Sequence, residues 1–271
     1  MNHRPLRAVN ATTDPDPPAG SVVAPAVTLT NVSKIFGHGP TAVHALDRVD
    51  LTVAPGEFVC LLGASGCGKS TLLNLVAGLD QPTDGTVDVR AGRTALMFQD
   101  AALFPWLTVR GNVELALKLS GIPRERRRPR SDQLLEMVHL ADFAKKRPHE
   151  LSGGMRQRTA LARALAQDAE ILLMDEPFGA LDAMTRDVLH EELETVWRET
   201  HKTVLFVTHN VREAGRLGDR IVMLASRPGR VAEIFDVDIE RPRRIDSPEV
   251  SALAANITDH LKQEVTRHGR S

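Results

Sequence analysis

The stretch Gly63–Ser70 has the residue types and spacing of a loop that binds a triphosphate. It runs GASGCGKS, which fits the pattern G-x-x-x-x-G-K-[ST]. Its glycines let the backbone curl so that N–H groups point at phosphate oxygens, and a following helix adds partial positive charge. In such a loop Lys69 reaches the β- and γ-phosphates, and the hydroxyl of Ser70 binds Mg²⁺. The residues predicted to contact the nucleotide here are Gly63, Ala64, Ser65, Gly66, Cys67, Gly68, Lys69, Ser70 and Thr71.

Two carboxylates follow an apolar run further along the chain. The run Ile171–Met174 ends in Asp175 and Glu176. Asp175 is predicted to help hold Mg²⁺ through water. Glu176 is predicted to face the attacking water, as a general base or as a group that orients it. A solvated acidic loop is the alternative, and the nearby phosphate loop argues against it.

Gln99 and His209 also come at the ends of apolar runs. Gln99 is predicted to coordinate Mg²⁺ or water, and His209 to reach the γ-phosphate through a ring N–H. Because ligand groups gather at the carboxyl ends of parallel strands, we expect both side chains at the same edge as the phosphate loop.

A second anion-binding helix terminus is predicted at Leu151–Gln157. Ser152 is placed to cap a helix whose first turn holds Gly153 and Gly154. Because the first two positions of the helix are glycines, the N-terminus is bare and free to bind an anion. The residues predicted to act here are Leu151, Ser152, Gly153, Gly154 and Gln157.

The elements that must position these residues are predicted from hydrophobic periodicity. Residues 27–62 alternate with period two and indicate a small antiparallel sheet that leads into the loop strand. Three near-continuous apolar runs after residue 170 indicate strands buried on both faces, hence a parallel sheet. Residues 107–165 are predicted to be largely helical. The fold class is therefore α/β, a P-loop NTPase core of RecA-like type.

The run Arg124–Arg130 interrupts the helical pattern with five arginines in seven residues. A solvated loop between helices is predicted, and contact with anionic lipid head groups or a partner is the alternative. Residues 1–25 contain five prolines and no periodic pattern, which indicates a disordered tail.

Composition restricts the possible functions. The formal net charge is −1, so the chain has no global basic field for nucleic acid. No run approaches 18 apolar residues, and no signal-peptide core is evident. A disulfide between Cys60 and Cys67 would distort the phosphate site, so a reducing cytosol is expected. Cys67 is expected to be a small spacer in the loop, and the alternative is that the N–H dipoles of the loop lower the pKa of its thiol.

Four segments together resemble the nucleotide-binding subunit of an ATP-binding-cassette (ABC) transporter: GASGCGKS, LSGGMRQR, LLMDEP and VTHN. The resemblance covers about residues 27–235. It implies a cassette at residues 26–240, with a helical subdomain at about 100–165, and a C-terminal helical extension at 241–271. It also implies ATP and Mg²⁺ as cofactors.

The same resemblance assigns roles to single residues. Phe36 stands where the family has an aromatic residue stacked on adenine. Gln99 matches the loop that links the ATP site to the membrane partner, Asp182 matches the segment that couples two sites, and His209 matches the switch histidine. The glycine-rich helix terminus of one subunit faces the γ-phosphate held by another, so a head-to-tail dimer with two ATP is implied.

The segment around Trp106 is the best clue to the transported solute. The pair Pro105-Trp106 resembles importers of sulfonates, taurine and nitrate, and the short connection from Val89 to Thr94 resembles the aliphatic-sulfonate members. Trp106 is predicted to anchor the permease interface, with a position in the core as the alternative. The expected partners are a second copy, membrane permease subunits and, indirectly, an extracytoplasmic solute-binding protein. The expected location is the cytoplasmic face of the membrane.

Three other functions are alternatives to a sulfonate importer. A taurine or nitrate importer ATPase is the nearest alternative, and an exporter subunit is the next. A soluble ABC ATPase acting on DNA or the ribosome is disfavoured, because such proteins carry a long coiled coil between the motifs or two cassettes. Here only about 80 residues separate Ser70 from Leu151, without sustained heptads.

Overall fold

A computed structural model describes residues 24–90, 92–179, 181–226 and 228–268. Within them the chain forms nine strands and seven α-helices. The strands are β1 (Val27–Phe36), β2 (Val43–Val53), β3 (Phe58–Leu62), β4 (Asp84–Val89), β5 (Thr94–Met97), β6 (Ile171–Asp175), β7 (Thr203–Thr208), β8 (Arg220–Ala225) and β9 (Arg230–Asp236). The helices are α1 (Lys69–Val76), α2 (Val109–Leu119), α3 (Arg124–Met137), α4 (Gly153–Leu165), α5 (Ala183–Thr200), α6 (Val211–Leu217) and α7 (Pro248–His268).

The larger sheet has six strands in the order β5-β6-β7-β3-β8-β9. All its pairs are parallel except β8 with β9. The middle positions of the parallel strands are apolar because both faces are covered. In β3, for example, Phe58 and Cys60 face one core, and Val59 and Leu61 face the other. The predicted P-loop α/β fold is confirmed.

The smaller sheet is antiparallel, in the order β2-β1-β4. Val27 pairs with Val53 on one side and with Val89 on the other. The sequence indicated this sheet within residues 27–62. The structure adds β4, and it places β3 in the parallel sheet. Helix α1 packs in the core shared by the two sheets, through Leu72 and Leu73.

The prediction of a loop at Arg124–Arg130 is wrong, because these residues form the first half of α3. Arginine has a high intrinsic helix propensity, and its charge stays in water while the backbone is helical. Leu134 and Leu135 anchor the second half of the helix in the core. The run has no apolar periodicity of its own. It is helical because the second half of the same helix packs in the core through Leu134 and Leu135.

After β9, a buried arginine attaches the chain to the segments on either side of the parallel sheet's edge strands. Arg243 is 5% exposed, and its guanidinium donates to four backbone carbonyls, those of Gly215, Gly218, Val237 and Ile239. Burial lowers the pKa of Arg243 to about 10, so the side chain is charged at neutral pH. Helix α7 follows and buries Val250 and Ile257 against the domain. The predicted tail, residues 1–25, lies almost entirely outside the described residues, and no described helix is both long and apolar enough to cross a bilayer.

We predict that Arg243→Ala lowers the free energy of unfolding by at least about 2 kcal/mol, because buried carbonyls lose a charged donor. Urea denaturation measures this change. Arg244→Ala is the matched control, since Arg244 is exposed and its guanidinium pairs with the carboxylate of Asp246, which is also exposed. We expect that variant to lose less than about 0.5 kcal/mol. Equal losses for the two variants would contradict this account of Arg243.

Candidate functional site

The loop Gly63–Ser70 connects β3 to α1 in a shape that two of its glycines make possible. Gly68 has φ +94°, and a Cβ there would lie 2.7 Å from Leu46 Cδ2 and 2.8 Å from the carbonyl oxygen of Ala45. A Cβ on Gly63 would lie 2.7 Å from Cys67 Sγ. Since such distances are far below van der Waals contact, only glycine fits at either position.

Lys69 is folded back across this loop. Its ammonium group donates to the carbonyl oxygens of Gly63, at 2.8 Å, and Ala64, at 3.0 Å. The side chain is 5% exposed, so the charge is held close to the space that the loop encloses. Helix α1 begins at this lysine, and its free N–H groups add to the positive potential there.

A cavity of about 710 Å³ lies over the loop. Its lining combines the loop, the start of α1, the beginning of β2 and one carboxylate; among these residues are Ser65, Gly66, Gly68, Lys69, Ser70, Thr71, Val43, His44 and Glu176. This volume and this concentration of phosphate-binding groups suit a nucleoside triphosphate. His44 was missed in the sequence analysis, because a lone histidine in an exposed strand gives no signal until the strand is placed beside the loop.

Phe36 pairs in register with Val43, a residue of the cavity lining, and it is half-exposed. Its ring is therefore next to the cavity. The ammonium group of Lys34 lies 4.9 Å from the ring centroid and also binds the carboxylate of Asp80 at 2.6 Å. This second contact was also missed from the sequence, since Lys34 and Asp80 are 46 residues apart.

The alternative in which the loop dipoles lower the pKa of the Cys67 thiol is wrong in direction. The side chain of Cys67 is fully buried, and burial raises the pKa of its thiol, an effect that Lys69 opposes only in part. The spacer interpretation fits, because Cys67 Sγ packs where a Cβ on Gly63 would have to lie. Both cysteines are free.

The carboxyl ends of β6 and β7 bring Asp175, Glu176 and His209 to the edge where the phosphate loop lies. Asp175 pairs with Val207, and Thr208 pairs with Leu62 at the end of β3. Glu176 follows directly with φ +44°, an unusual value for a residue with a side chain. Its carboxylate Oε2 lies 2.9 Å from Nδ1 of His209. The two predicted catalytic side chains thus contact each other.

Gln99 follows β5 and approaches the same turn. A Cβ on Gly179 would lie 3.4 Å from Gln99 Nε2 and 3.7 Å from Glu176 Oε2, so both side chains lie close to this glycine. The backbone carbonyl of Gln99 accepts a hydrogen bond of 2.7 Å from Gln157 in α4. The loop after β5 is therefore tied to the helix that begins at Gly153.

The glycine-rich terminus of α4 lies apart from the phosphate cavity, since Ser152, Gly153 and Gly154 are absent from its lining. Ser152 caps the helix by accepting from the N–H of Met155. A Cβ on Gly154 would lie 2.5 Å from Thr185 Cγ2, so this terminus packs tightly on the start of α5. Asp182 caps α5 through the N–H of Thr185, and this hydrogen bond lowers the pKa of its carboxyl group.

Trp106 is 68% exposed, which contradicts its alternative position in the core. It stands beside Phe104 with ring centroids 5.4 Å apart. The backbone of Phe104 is clamped by the buried Asn112, which accepts from its N–H and donates to its carbonyl. The segment is thus held rigidly while its rings face solvent. A groove of about 670 Å³ adjoins it, lined by Phe104, Leu115, Leu119 and Arg163 among others.

Comparison with known proteins identifies the family. The family model described as ABC transporter matches residues 46–179. A taurine import ATP-binding protein of Rhizobium johnstonii is 50% identical over 206 residues, 73% of this chain and 79% of that protein. A nitrate import ATP-binding protein of Synechocystis is 42% identical over 243 residues, 87% of this chain and 88% of that protein.

A solved structure agrees with the fold over its whole length. It is a dimeric, post-hydrolysis ATP-binding cassette bound to ADP and Pi, with a TM-score of 0.69 and 37% identity. The match covers 79% of this chain and all of the other. The resemblance predicted from the four motifs is therefore confirmed: the chain belongs to the ABC transporter family and is an ATP-binding ATPase coupled to transport.

Proposed function

We propose that this chain hydrolyses ATP to power the import of a small anionic solute, an aliphatic sulfonate, through a separate membrane permease. Relatives named for taurine and nitrate import support the class of solute. Taurine is itself a sulfonate, so the taurine importer is the closest alternative, with nitrate as a second. In this proposal residues 26–240 form the cassette, and residues 241–271 form an extension to it.

The observation that carries the ATPase mechanism is the contact between Glu176 and His209 at the rim of the phosphate cavity. A carboxylate there accepts a proton from the water that attacks the γ-phosphate, or orients that water. The ring of His209 then donates to a γ-phosphate oxygen.

Phe36 supplies the stacking surface for adenine in this arrangement. The ammonium of Lys34 lies at its ring, which fixes the ring with a cation–π contact. The loop N–H groups and Lys69 bind the β- and γ-phosphates. Lys69 exchanges its two carbonyl acceptors for phosphate oxygens, so its buried charge is compensated in both states.

The side chains of Ser70, Gln99 and Asp175 form the proposed Mg²⁺ site. Each offers an oxygen, the ligand atom that Mg²⁺ prefers. None of the three side chains has a hydrogen-bond or ion-pair partner among the described residues, so these oxygens are available to the ion and its waters. The ion would neutralise charge on the phosphates.

The phosphate cavity is half of the proposed site. Ser152, Gly153 and Gly154 lie outside its lining, yet the helix terminus that they form suits an anion. Two copies arranged head to tail would place this terminus of one over the γ-phosphate of the other. The dimeric relative bound to ADP and Pi supports such an arrangement. Leu151 and Gln157 then support the terminus, and Asp182 lies in the segment between the two sites.

The exposed rings of Phe104 and Trp106 and the adjoining groove form the proposed permease surface. Large aromatic side chains held by a rigid backbone are favourable interface anchors. The loop that holds this surface begins at Gln99, so a shift caused by nucleotide reaches the membrane partner. The chain would then act as a peripheral subunit on the cytoplasmic face of the membrane.

We predict that Glu176→Gln binds ATP normally and loses at least about 100-fold in turnover, because the amide cannot accept the proton from water. Steady-state ATP hydrolysis measures the loss, and size-exclusion chromatography with ATP should show a trapped dimer. Glu170→Gln, at the exposed opposite end of β6, is the matched control and should hydrolyse ATP normally. Hydrolysis by Glu176→Gln at the native rate would refute the assignment.

We predict that Trp106→Ala weakens binding to the permease subunit of the same transporter by about tenfold or more. The substitution removes an aromatic side chain that the proposed interface would bury. Detergent-solubilised permease titrated against labelled cassette measures the dissociation constant. Leu79→Ala removes an equally exposed apolar side chain outside the groove and should bind like the native chain. Native affinity of the Trp106 variant would exclude this surface.

We predict that the assembled transporter, with its solute-binding protein in liposomes, hydrolyses ATP faster when ethanesulfonate is supplied. Taurine and nitrate serve as comparison solutes at equal concentration. Stimulation by nitrate alone would reject a sulfonate as the solute, and stimulation by taurine alone would select the taurine alternative. None of these outcomes affects the ATPase assignment, which Glu176→Gln tests separately.

A further inference from the structure

We propose that His190 is a positioning residue that holds the loops of Glu176 and His209 in fixed relation to each other. The inference rests on the catalytic roles proposed above for those two residues. His190 lies in α5 and is not among the residues that line the phosphate cavity. Its side chain is fully buried. It contacts Phe178 in the Glu176 loop, and it contacts Glu213, which is bonded to the residue before His209.

The contact with the His209 loop runs through a buried carboxylate. His190 Nε2 lies 2.6 Å from Glu213 Oε1, and Glu213 Oε2 accepts from the hydroxyl of Thr208. The same hydroxyl oxygen accepts from the N–H of Asn210 at 2.9 Å. Thr208 and Asn210 flank His209 in the chain, so the hydrogen bonds fix the backbone on both sides of it.

The contact with the Glu176 loop is aromatic. The ring of His190 meets Phe178 in an edge arrangement, with centroids 5.5 Å apart and an interplanar angle of 65°. Phe178 is 1% exposed and comes two residues after Glu176. Because Glu176 itself has φ +44°, its backbone needs support from such packing to keep that conformation.

Burial makes the hydrogen bonds of this cluster costly to lose. Glu213 is 5% exposed and Thr208 is 2% exposed, and a carboxylate taken out of water must be bonded to be tolerated. Since an ionised carboxylate only accepts, Nε2 of His190 carries the proton. Among the residues that the structure describes, Nδ1 has no hydrogen-bond partner, although the carboxylate of Asp187 lies 3.9 Å away. The ring of His190 therefore links the two loops, through a hydrogen bond to Glu213 and an aromatic contact with Phe178.

Two substitutions of His190 separate the effect of its hydrogen bond to Glu213 from the effect of its packing on Phe178. His190→Phe keeps a ring against Phe178 and removes the donor to Glu213, whereas His190→Gln restores an N–H donor at a similar reach. We expect kcat for ATP hydrolysis to fall about tenfold in His190→Phe with the KM for ATP within about twofold of native, because a positioning defect weakens the transition state more than substrate binding. We expect His190→Gln to recover at least about half of the native kcat.

A matched control distinguishes positioning from loss of stability. Val196→Ala creates a cavity in the same helix, at a fully buried side chain outside this cluster, and should leave kcat unchanged below its melting temperature. Hydrogen exchange followed by mass spectrometry should show faster uptake at residues 207–213 in His190→Phe than in Val196→Ala. If His190→Phe does not fold, Thr208→Val and Thr208→Ser make the same comparison, with the hydroxyl removed or kept.

Native kcat and native exchange in His190→Phe would overturn the proposal, as would equal losses in the Phe and Gln variants. Equal exchange at residues 207–213 in His190→Phe and Val196→Ala would also overturn it. These results are distinct from a failure of the proposed mechanism, which would appear as native turnover in Glu176→Gln. In that case His190 would position side chains that do not catalyse hydrolysis.

Discussion

The parallel pairing of β3, β6 and β7 is the constraint on which the rest of the structure depends. Thr208 pairs with Leu62, and Asp175 pairs with Val207, so the three strands end at one level. The residues that follow each of these strands therefore lie in the same small region. A phosphate loop, an acidic pair and a histidine meet for this reason, although more than a hundred residues separate the phosphate loop from the acidic pair.

Close approach at this edge depends on residues that are small or strained. Gly63 and Gly68 leave no room for a Cβ, and Glu176 has a left-handed backbone conformation. Such positions are tolerated where the surrounding structure is rigid. Here the rigidity comes from strands that are buried on both faces, and from polar groups such as those of His190 and Glu213 that bond behind the site.

The structure separates the two anion-binding helix termini that the sequence predicts. The N-terminus of α1 opens into the cavity, whereas that of α4 packs on α5 through Gly154 and Thr185. Gln157 connects α4 to the backbone of Gln99. A ligand that brings the two termini together, across two copies, would therefore also move the loop that precedes the exposed Trp106. The proposed coupling of ATP hydrolysis to transport would run through this short series of contacts.

The sequence by itself determined the features that depend on local chemistry. The spacing within Gly63–Ser70, the cap at Ser152 and the strands with near-continuous apolar runs are each specified by neighbouring residues, and the structure shows all of them. Helix α3 could not be predicted at Arg124–Arg130, because its stability comes from leucines further along the chain that are buried by other helices.

Only the tertiary structure decided which distant groups meet. The burial that raises the pKa of Cys67 comes from elements packed around the loop, and no local pattern records it. The contact of Glu176 with His209, and that of His190 with Glu213 and Phe178, join residues from separate elements. Their identity is written in the sequence, but their proximity is set by strand order and helix packing, which depend on the whole chain at once.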